Sequence, residues 1–245
     1  MPQDHTEAVR WWKKAADQGD ADAQFSLGSA YYFGKGVPQD HTEAVRWWKK
    51  AADQGNADAQ ERMGVAYHLG EGVPQDHTEA VRWYKKAADQ GLAAAQFSLG
   101  SAYDEGEGVP QDHTEAVRWY KKAADQGLAR AQFNLCRAYH LGEGVPQDDA
   151  EAVRWLRKAA DQGVAKAQAL LGAAYDQGEG VPKDKAKAYL WANLAAAISK
   201  DAEDDSYSKL RDSTAAKLSP GQRSAIQERC RRWMNVFEKR QGQEP

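Results

Sequence analysis

One stretch limits what this chain can fold into: Val37-Pro-Gln-Asp-His-Thr-Glu-Ala-Val-Arg-Trp-Trp-Lys-Lys-Ala-Ala-Asp-Gln-Gly55. It returns with little change at Val73, Val109 and Val145, and a partial copy opens the chain at Pro2. Pro2, Pro38, Pro74, Pro110, Pro146 and Pro182 fall at one period of 36 residues. A period of that length is the mark of a solenoid, in which no repeat buries its apolar face alone and each stacks on its neighbours. The expected array runs over 1–200, with a partial unit at 2–19 and fuller units near 20–55, 56–91, 92–127, 128–163 and 164–198. Helices over 201–240 are expected to cap it, and 241–245 to form a disordered tail.

Each full unit reads as two helices. In the second, Asp40 is placed as N-cap and Glu43 completes a capping box. Ala44, Val45, Trp47, Trp48, Ala51 and Ala52 fill an arc of about 160°, with Arg46, Lys49, Lys50, Asp53 and Gln54 opposite. Gly55 supplies the left-handed residue that ends such a helix.

The first helix spans roughly 21–33, stopped by Gly34, with Gly36 and Pro38 shaping the connection. Ala23, Gln24, Leu27, Gly28, Ala30 and Tyr31 recur at the repeat spacing, with Met63 and Cys136 the exceptions. They share an arc from about −20° to 140°, counted from Ala23, and positions that change between copies share the opposite arc. The fixed arc is the packing face, where Gly28, Gly64, Gly100 and Gly172 let the partner helix approach closely. Cys136 reads there as a small, buried, inert thiol, since nothing near it in sequence would lower its pKa.

The run Ala-Gln-x-x-Leu-Gly-x-x-Tyr-x-x-Gly-x-Gly-Val-Pro-x-Asp-x-x-x-Ala-x-x-Trp-Tyr/Trp-x-Lys-Ala-Ala-x-x-Gly, as it stands in 95–127, resembles the Sel1-like repeat, a relative of the tetratricopeptide repeat. The resemblance covers about residues 2–198. It implies an all-α fold of antiparallel helix pairs stacked into a right-handed superhelix, the first helix of each pair lining the concave side. It also implies a bacterial-type adaptor that binds proteins or peptides, in signalling, envelope regulation or host interaction.

The last unit drifts from the pattern. Asp184 keeps the cap, but 186–198 is apolar almost all round and needs cover on more than one side. The tail offers that cover with one helix near 203–217 and a second begun by Ser219, Pro220 and Gln222 as N-cap, N1 and N3. Ile226, Cys230, Trp233 and Phe237 make its apolar stripe. Ala-Tyr-Leu-Trp-Ala-Asn-Leu-Ala-Ala-Ala and the Leu210-Arg-Asp…Leu-Ser-Pro segment also look like the usual end of bacterial Sel1-like proteins.

Several chemistries find no support. Lys plus Arg is 33 against 36 Asp plus Glu, so no basic field argues for nucleic acid. Apolar runs such as Leu194 to Ile198 are too short to span a bilayer. Two cysteines make no disulfide framework, and compartment, cytoplasmic or periplasmic, stays open. A repeat already starts at Pro2, so no signal peptide is expected within this chain. Met1 stands where later copies have Val37, Val73 and Val109, which fits a start inside an ancestral repeat, a trimmed chain or a native start.

His5, His41, His77 and His113 recur at the helix start. Packed helices lie about 8–10 Å apart, so four equivalent histidines cannot share one ion. They are expected as exposed first-turn residues, and His68 and His140 as ligand contacts rather than metal ligands. Gly28 to Lys35 fails as a phosphate loop, with glycines six apart and Gly36 in place of Ser or Thr. The tryptophan pairs read as core, and no unique nucleophile–base constellation stands out among the repeated carboxylates. No metal, cofactor or catalytic residue is assigned.

The expected activity is binding, non-enzymatic, to a protein or peptide. The candidate groove residues are those of the variable face: Asp22, Phe25, Ser29, Tyr32 and Phe33; Asp58, Glu61, Val65, His68 and Leu69; Ala94, Phe97, Ser101, Asp104 and Glu105; Arg130, Phe133, Arg137, His140 and Leu141. Phe25, Phe97 and Phe133 would be apolar anchors or packing between units, and Arg130 and Arg137 would orient an acidic group. Two other readings stand beside this one. Cysteine-rich Sel1-like proteins are associated with penicillin binding and β-lactam hydrolysis, but carry a disulfide in each repeat that this chain lacks. A structural spacer within a longer protein is the third.

Overall fold

The computed structural model describes residues 5–199 and 205–241; of the tail expected over 241–245, Gln241 ends a helix and 242–245 lie outside the described residues. Thirteen helices and no strand occupy the described residues. The chain divides into two compact units, Met1–Gln126 and Gly127–Pro245. The first holds α1 (His5–Asp17), α2 (Ala21–Phe33), α3 (His41–Asp53), α4 (Ala57–Leu69), α5 (His77–Asp89), α6 (Ala93–Glu105) and α7 (His113–Asp125). The second holds α8 (Ala129–Leu141), α9 (Asp149–Asp161), α10 (Ala165–Gln177), α11 (Lys185–Ile198), α12 (Ser206–Ala215) and α13 (Pro220–Gln241). Within each unit, helices that follow one another from α1 to α7 and from α8 to α12 pack together, and α13 returns onto α11.

Asp40, Asp76, Asp112, Asp148 and Asp184 each cap a second helix through the side chain. The capping box is only half made. Glu43 turns to Arg46 at 3.2 Å, because the Asp40 N–H it would have taken donates to the Tyr31 carbonyl at 2.9 Å. That backbone bond, repeated from Asp76 to Tyr67 and Asp112 to Tyr103, closes each loop onto the helix before it. Gly34 (φ 66°) ends α2 in the left-handed region. Gly36 is needed twice over: its φ is 76°, and a Cβ there would lie 2.3 Å from the His5 carbonyl oxygen.

The fixed face of the first helices is buried: Ala23, Gln24, Leu27, Gly28 and Ala30 in α2, and their equivalents in α4 and α6. On the second helices Trp47, Trp83, Trp119 and Trp155 are no more than 5% exposed, each worth about 1.5–3 kcal/mol on burial. A lysine three residues on lies over each ring, as Lys50 over Trp47 at 3.9 Å and Lys86 over Trp83 at 3.8 Å. Trp11, the same position in the first copy, is 61% exposed.

Polar residues are part of this core. Gln24, Gln60 and Gln96 each donate to a carbonyl of the preceding helix, at Ala16, Ala52 and Ala88, and Gln168 to Ala160. Their side-chain oxygens accept from the glutamine that ends the next helix: Gln54 to Gln24, Gln90 to Gln60, Gln126 to Gln96 and Gln162 to Gln132, all at 2.8–2.9 Å. At the last step Ile198 stands where that donor should be, and Gln168 Oε1 is buried with no partner among the described residues. Replacing Gln126 with Ile should orphan Gln96 in the same way and cost about 1–3 kcal/mol. Ile198→Gln should move the other way by about 1 kcal/mol. Urea melts of both variants against the parent chain check the pair of signs.

The C-terminal helices cover α11. Ile226 and Cys230 are buried in one cluster with Tyr189, Trp191 and Leu194, and Gln227 donates to the Tyr189 hydroxyl at 3.1 Å. Ser219 and Gln222 form a complete capping box: Gln222 N–H donates to Ser219 Oγ, and Ser219 N–H to Gln222 Oε1. A chain ending at Ser199 would turn that cluster toward water. It should aggregate or lose helicity, which size-exclusion chromatography and circular dichroism would reveal; a monomer of undiminished helicity per residue would contradict it.

Candidate functional site

The variable face of the first helices is not buried anywhere along its candidate residues. Asp22, Phe33, Asp58, Leu69, Glu105, Arg130, Arg137, His140 and Leu141 are exposed. Phe25, Ser29, Tyr32, Glu61, Val65, His68, Ala94, Phe97, Ser101, Asp104 and Phe133 are half-buried. The three phenylalanines are half-buried because one side of each ring packs. Phe97 lies 5.7 Å from the Tyr120 ring, Phe25 rests on the cluster around Trp48, and Phe133 on the cluster around Leu156.

The open side of this face sinks into three cavities that are copies of one niche. In the first unit, His77, Ala80 and Tyr84 of α5 face Ser98, Ser101 and Ala102 of α6 around a cavity of about 250 Å³. His5, Ala8 and Trp12 face Ser26, Ser29 and Ala30 at the same positions two periods earlier. In the second unit, Asp149, Ala152 and Leu156 of α9 face Leu170 and Ala174 of α10 around about 280 Å³. The second helix of one repeat and the first helix of the next always form the walls. Their chemistry is set by whichever residues the variable positions hold.

In the second-unit niche, Phe133, Cys136, Leu156 and Leu170 make an apolar floor, with Arg137 and Lys166 at its edge. Lys166 Nζ lies 5.3 Å from the centre of the Phe133 ring. Arg130 joins Phe133 and Lys166 around an adjoining hollow. His140 Nδ1 is 2.8 Å from Asp149 Oδ1. Phe25, Ser29 and Phe33 share the N-terminal niche, and His68, Phe97, Ser101 and Glu105 share the middle one. Asp22, Tyr32, Asp58, Glu61, Val65, Leu69, Ala94, Asp104 and Leu141 line none of these three; Asp22 accepts from Asn56 Nδ2 at 2.9 Å instead.

Lys166, Leu170 and Leu156 do not stand out in the sequence, where a variable face shows only one helix at a time. The next repeat supplies part of every niche. The recurring histidines also differ from expectation: His5 is exposed, but His41, His77 and His113 are half-buried. His41 stacks on Tyr32 at 4.8 Å and His113 Nδ1 meets Asp104 Oδ1 at 2.8 Å.

Cys136 owes its place to a neighbour. A Cβ on Gly28 would lie 2.5 Å from Trp48, one on Gly64 2.4 Å from Tyr84, and one on Gly100 2.7 Å from Tyr120. The residue equivalent to those rings in the next repeat is Leu156, whose smaller side chain leaves room for a thiol. Cys136 is half-buried rather than buried, because it also lines the niche beside Leu156. Desolvation still pushes its thiol up to about 11, with the charge of Asp149 adding to the shift. Burial also raises Cys230. Both should stay protonated at neutral pH and react with iodoacetamide far more slowly than free cysteine, the rate recovering in denaturant. Mass spectrometry of timed labelling checks this.

Sequence comparison adds a match to the Sel1 repeat over residues 1–20, 21–56, 57–92, 93–128, 129–164 and 165–198. This chain belongs to the Sel1 repeat family. A solved Sel1 repeat protein from Oxalobacter formigenes is 37% identical, with a TM-score of 0.76 over 86% of this chain and 61% of that one. A protective antigen present in uropathogenic Escherichia coli strains, displaying an SLR fold, is 29% identical, with a TM-score of 0.59 over 99% of this chain and 60% of that one. This chain thus spans about three fifths of each. An immunity protein from Pseudomonas aeruginosa, 23% identical over 80% of this chain and 74% of that one, shares the fold at a TM-score of 0.52. No curated protein matches the sequence. Sel1 repeats as a family serve as protein-interaction scaffolds. No helix among the described residues is long and apolar enough to cross a membrane.

Proposed function

We propose that this Sel1 repeat protein binds an extended peptide or protein segment along the variable face, as a scaffold rather than as a catalyst. The observation that carries this reading is the niche at Phe133. An apolar floor large enough for one aliphatic or aromatic side chain lies beside Arg137 and Lys166, with Arg130 one turn from Phe133 on the same helix. Burial of an apolar anchor supplies most of the free energy of such a contact, and the cations select an acidic neighbour. Within the first unit, the niches at Phe25 and Phe97 pair an apolar ring with different walls, so each would take a different side chain.

Catalysis has less support. The carboxylates recur in caps and surface pairs, and the niche thiol is held protonated. The chain also lacks the cysteines that give the β-lactam-binding relatives a disulfide in each repeat. Selection of random peptides displayed on phage against the full chain tests the reading. The enriched peptides should carry an apolar residue flanked by Asp or Glu. Phe133→Ala and Lys166→Glu should each weaken the best peptide about tenfold or more, as loss of an interface anchor does. Phe133→Ala should cost about 1–2 kcal/mol of stability, less than a fully buried phenylalanine, since its ring is only partly buried. Peptides that bind both variants as tightly as the parent would place the site elsewhere.

A further inference from the structure

The niche between α5 and α6 differs from its copies in one respect. Three of its wall positions recur in every repeat: the twelfth residue of a first helix, the first residue of the second helix that follows, and a loop residue of the next repeat. In one repeat these are Tyr32, His41 and Glu71, and they satisfy one another: Tyr32 donates to Glu71 at 2.6 Å and stacks on His41 at 4.8 Å. In the second unit His140 and Asp149 are joined at 2.8 Å. In the niche between α5 and α6 the three are His68, His77 and Glu107, two imidazoles and a carboxylate.

Here the two imidazole rings meet edge-on at 5.1 Å, but no hydrogen bond like that of Tyr32 to Glu71 joins the three. His68 Nδ1 and His77 Nδ1 stand 3.5 Å and 3.6 Å from the same Glu107 oxygen, too far for a hydrogen bond to either. His77 Nδ1 is buried and has no hydrogen-bond partner among the described residues. All three donor atoms lie within 4.8 Å of one another. Donors bound at about 2.0–2.1 Å in a tetrahedral shell stand about 3.3 Å apart. The two imidazole–carboxylate spacings, 3.5 Å and 3.6 Å, are already close to that, and the two imidazoles need only a small side-chain adjustment to join them.

The scaffold holds the donors in that arrangement. Gln75 Nε2 donates to the His68 carbonyl at 2.8 Å, and Asp76 N–H to the Tyr67 carbonyl at 2.9 Å, which clamps the end of α4 to the start of α5. Glu107 is brought against His77 by Gly108, where a Cβ would lie 2.2 Å from the His77 carbonyl oxygen. Equivalent positions cannot build such a site, because His5, His41, His77 and His113 cannot meet. The site arises instead from three non-equivalent positions that the loop closure brings together.

We infer that His68, His77 and Glu107 bind one divalent transition-metal ion of the zinc class, with a fourth position left to water or to a ligand carboxylate entering the cavity. Two imidazoles and one carboxylate favour Zn²⁺, Co²⁺, Ni²⁺ or Cu²⁺ over Mg²⁺ and Ca²⁺, which take oxygen shells. The metal ligands share a cavity with Phe97, but the peptide reading is carried by the Phe133 niche in the second unit, so either can fail without the other.

Titration of the full chain, without a histidine tag, with Zn²⁺ against a chromophoric chelator tests it. One Zn²⁺ per chain is expected, unaffected by millimolar Mg²⁺, and bound Co²⁺ should give the visible absorption of a four-coordinate site. His68→Tyr copies the wall of the neighbouring repeat, so it should fold and melt like the parent while weakening Zn²⁺ about tenfold or more. Glu107→Gln should weaken it to a similar degree, and His41→Ala should not. Absence of stoichiometric Zn²⁺ binding, or binding that His68→Tyr leaves unchanged, would overturn the inference.

Discussion

The buried glutamine amide sets the register of three helices at once. Gln60 sits on α4, donates to the Ala52 carbonyl of α3, and accepts from Gln90 at the end of α5. An amide buried without partners is costly, so each of these contacts must form when the core does. Rotating or sliding any one helix by a residue would break two bonds. The amide therefore fixes which arc of the first helix packs and which arc faces outward, and the variable face inherits its position from that choice.

Volume makes the same choice a second time. The bare Cα of Gly28, Gly64 or Gly100 accepts the flank of an aromatic ring from the next helix. Where Leu156 replaces the ring, Cys136 replaces the glycine, and the total filling is held roughly constant. Cores tolerate paired changes of this kind better than either alone. The one departure from the glycine pattern is thus a packing compensation, and it also places sulfur in the floor of a niche.

Much of this was legible in the sequence for a specific reason. The second helices announce themselves by amphipathicity, but the first helices mix small, polar and aromatic residues and give no such signal. Internal recurrence supplied it instead: Gln24 and its copies are polar, yet their invariance placed them on the packing face where the structure buries them. What stayed hidden were contacts that cross repeats. Glu43 looks like the second half of a capping box because Tyr31, which takes its target, lies across a loop. Leu170 and Lys166 give no signal because their niche partners sit on other helices. His68, His77 and Glu107 escaped notice for the same cause, since comparing like positions with like cannot reveal a meeting of unlike ones.

The orphaned oxygen of Gln168 has an evolutionary consequence. Every interior repeat brings one amide that gives and one that receives, so a whole repeat can be duplicated or deleted within the array without leaving a buried polar atom unmatched. Recombination between near-identical copies can then change the length of the binding face in steps of 36 residues at little cost to the core. Such a protein can extend its reach by copying, and tune what it recognises afterwards by substituting the outward-facing positions.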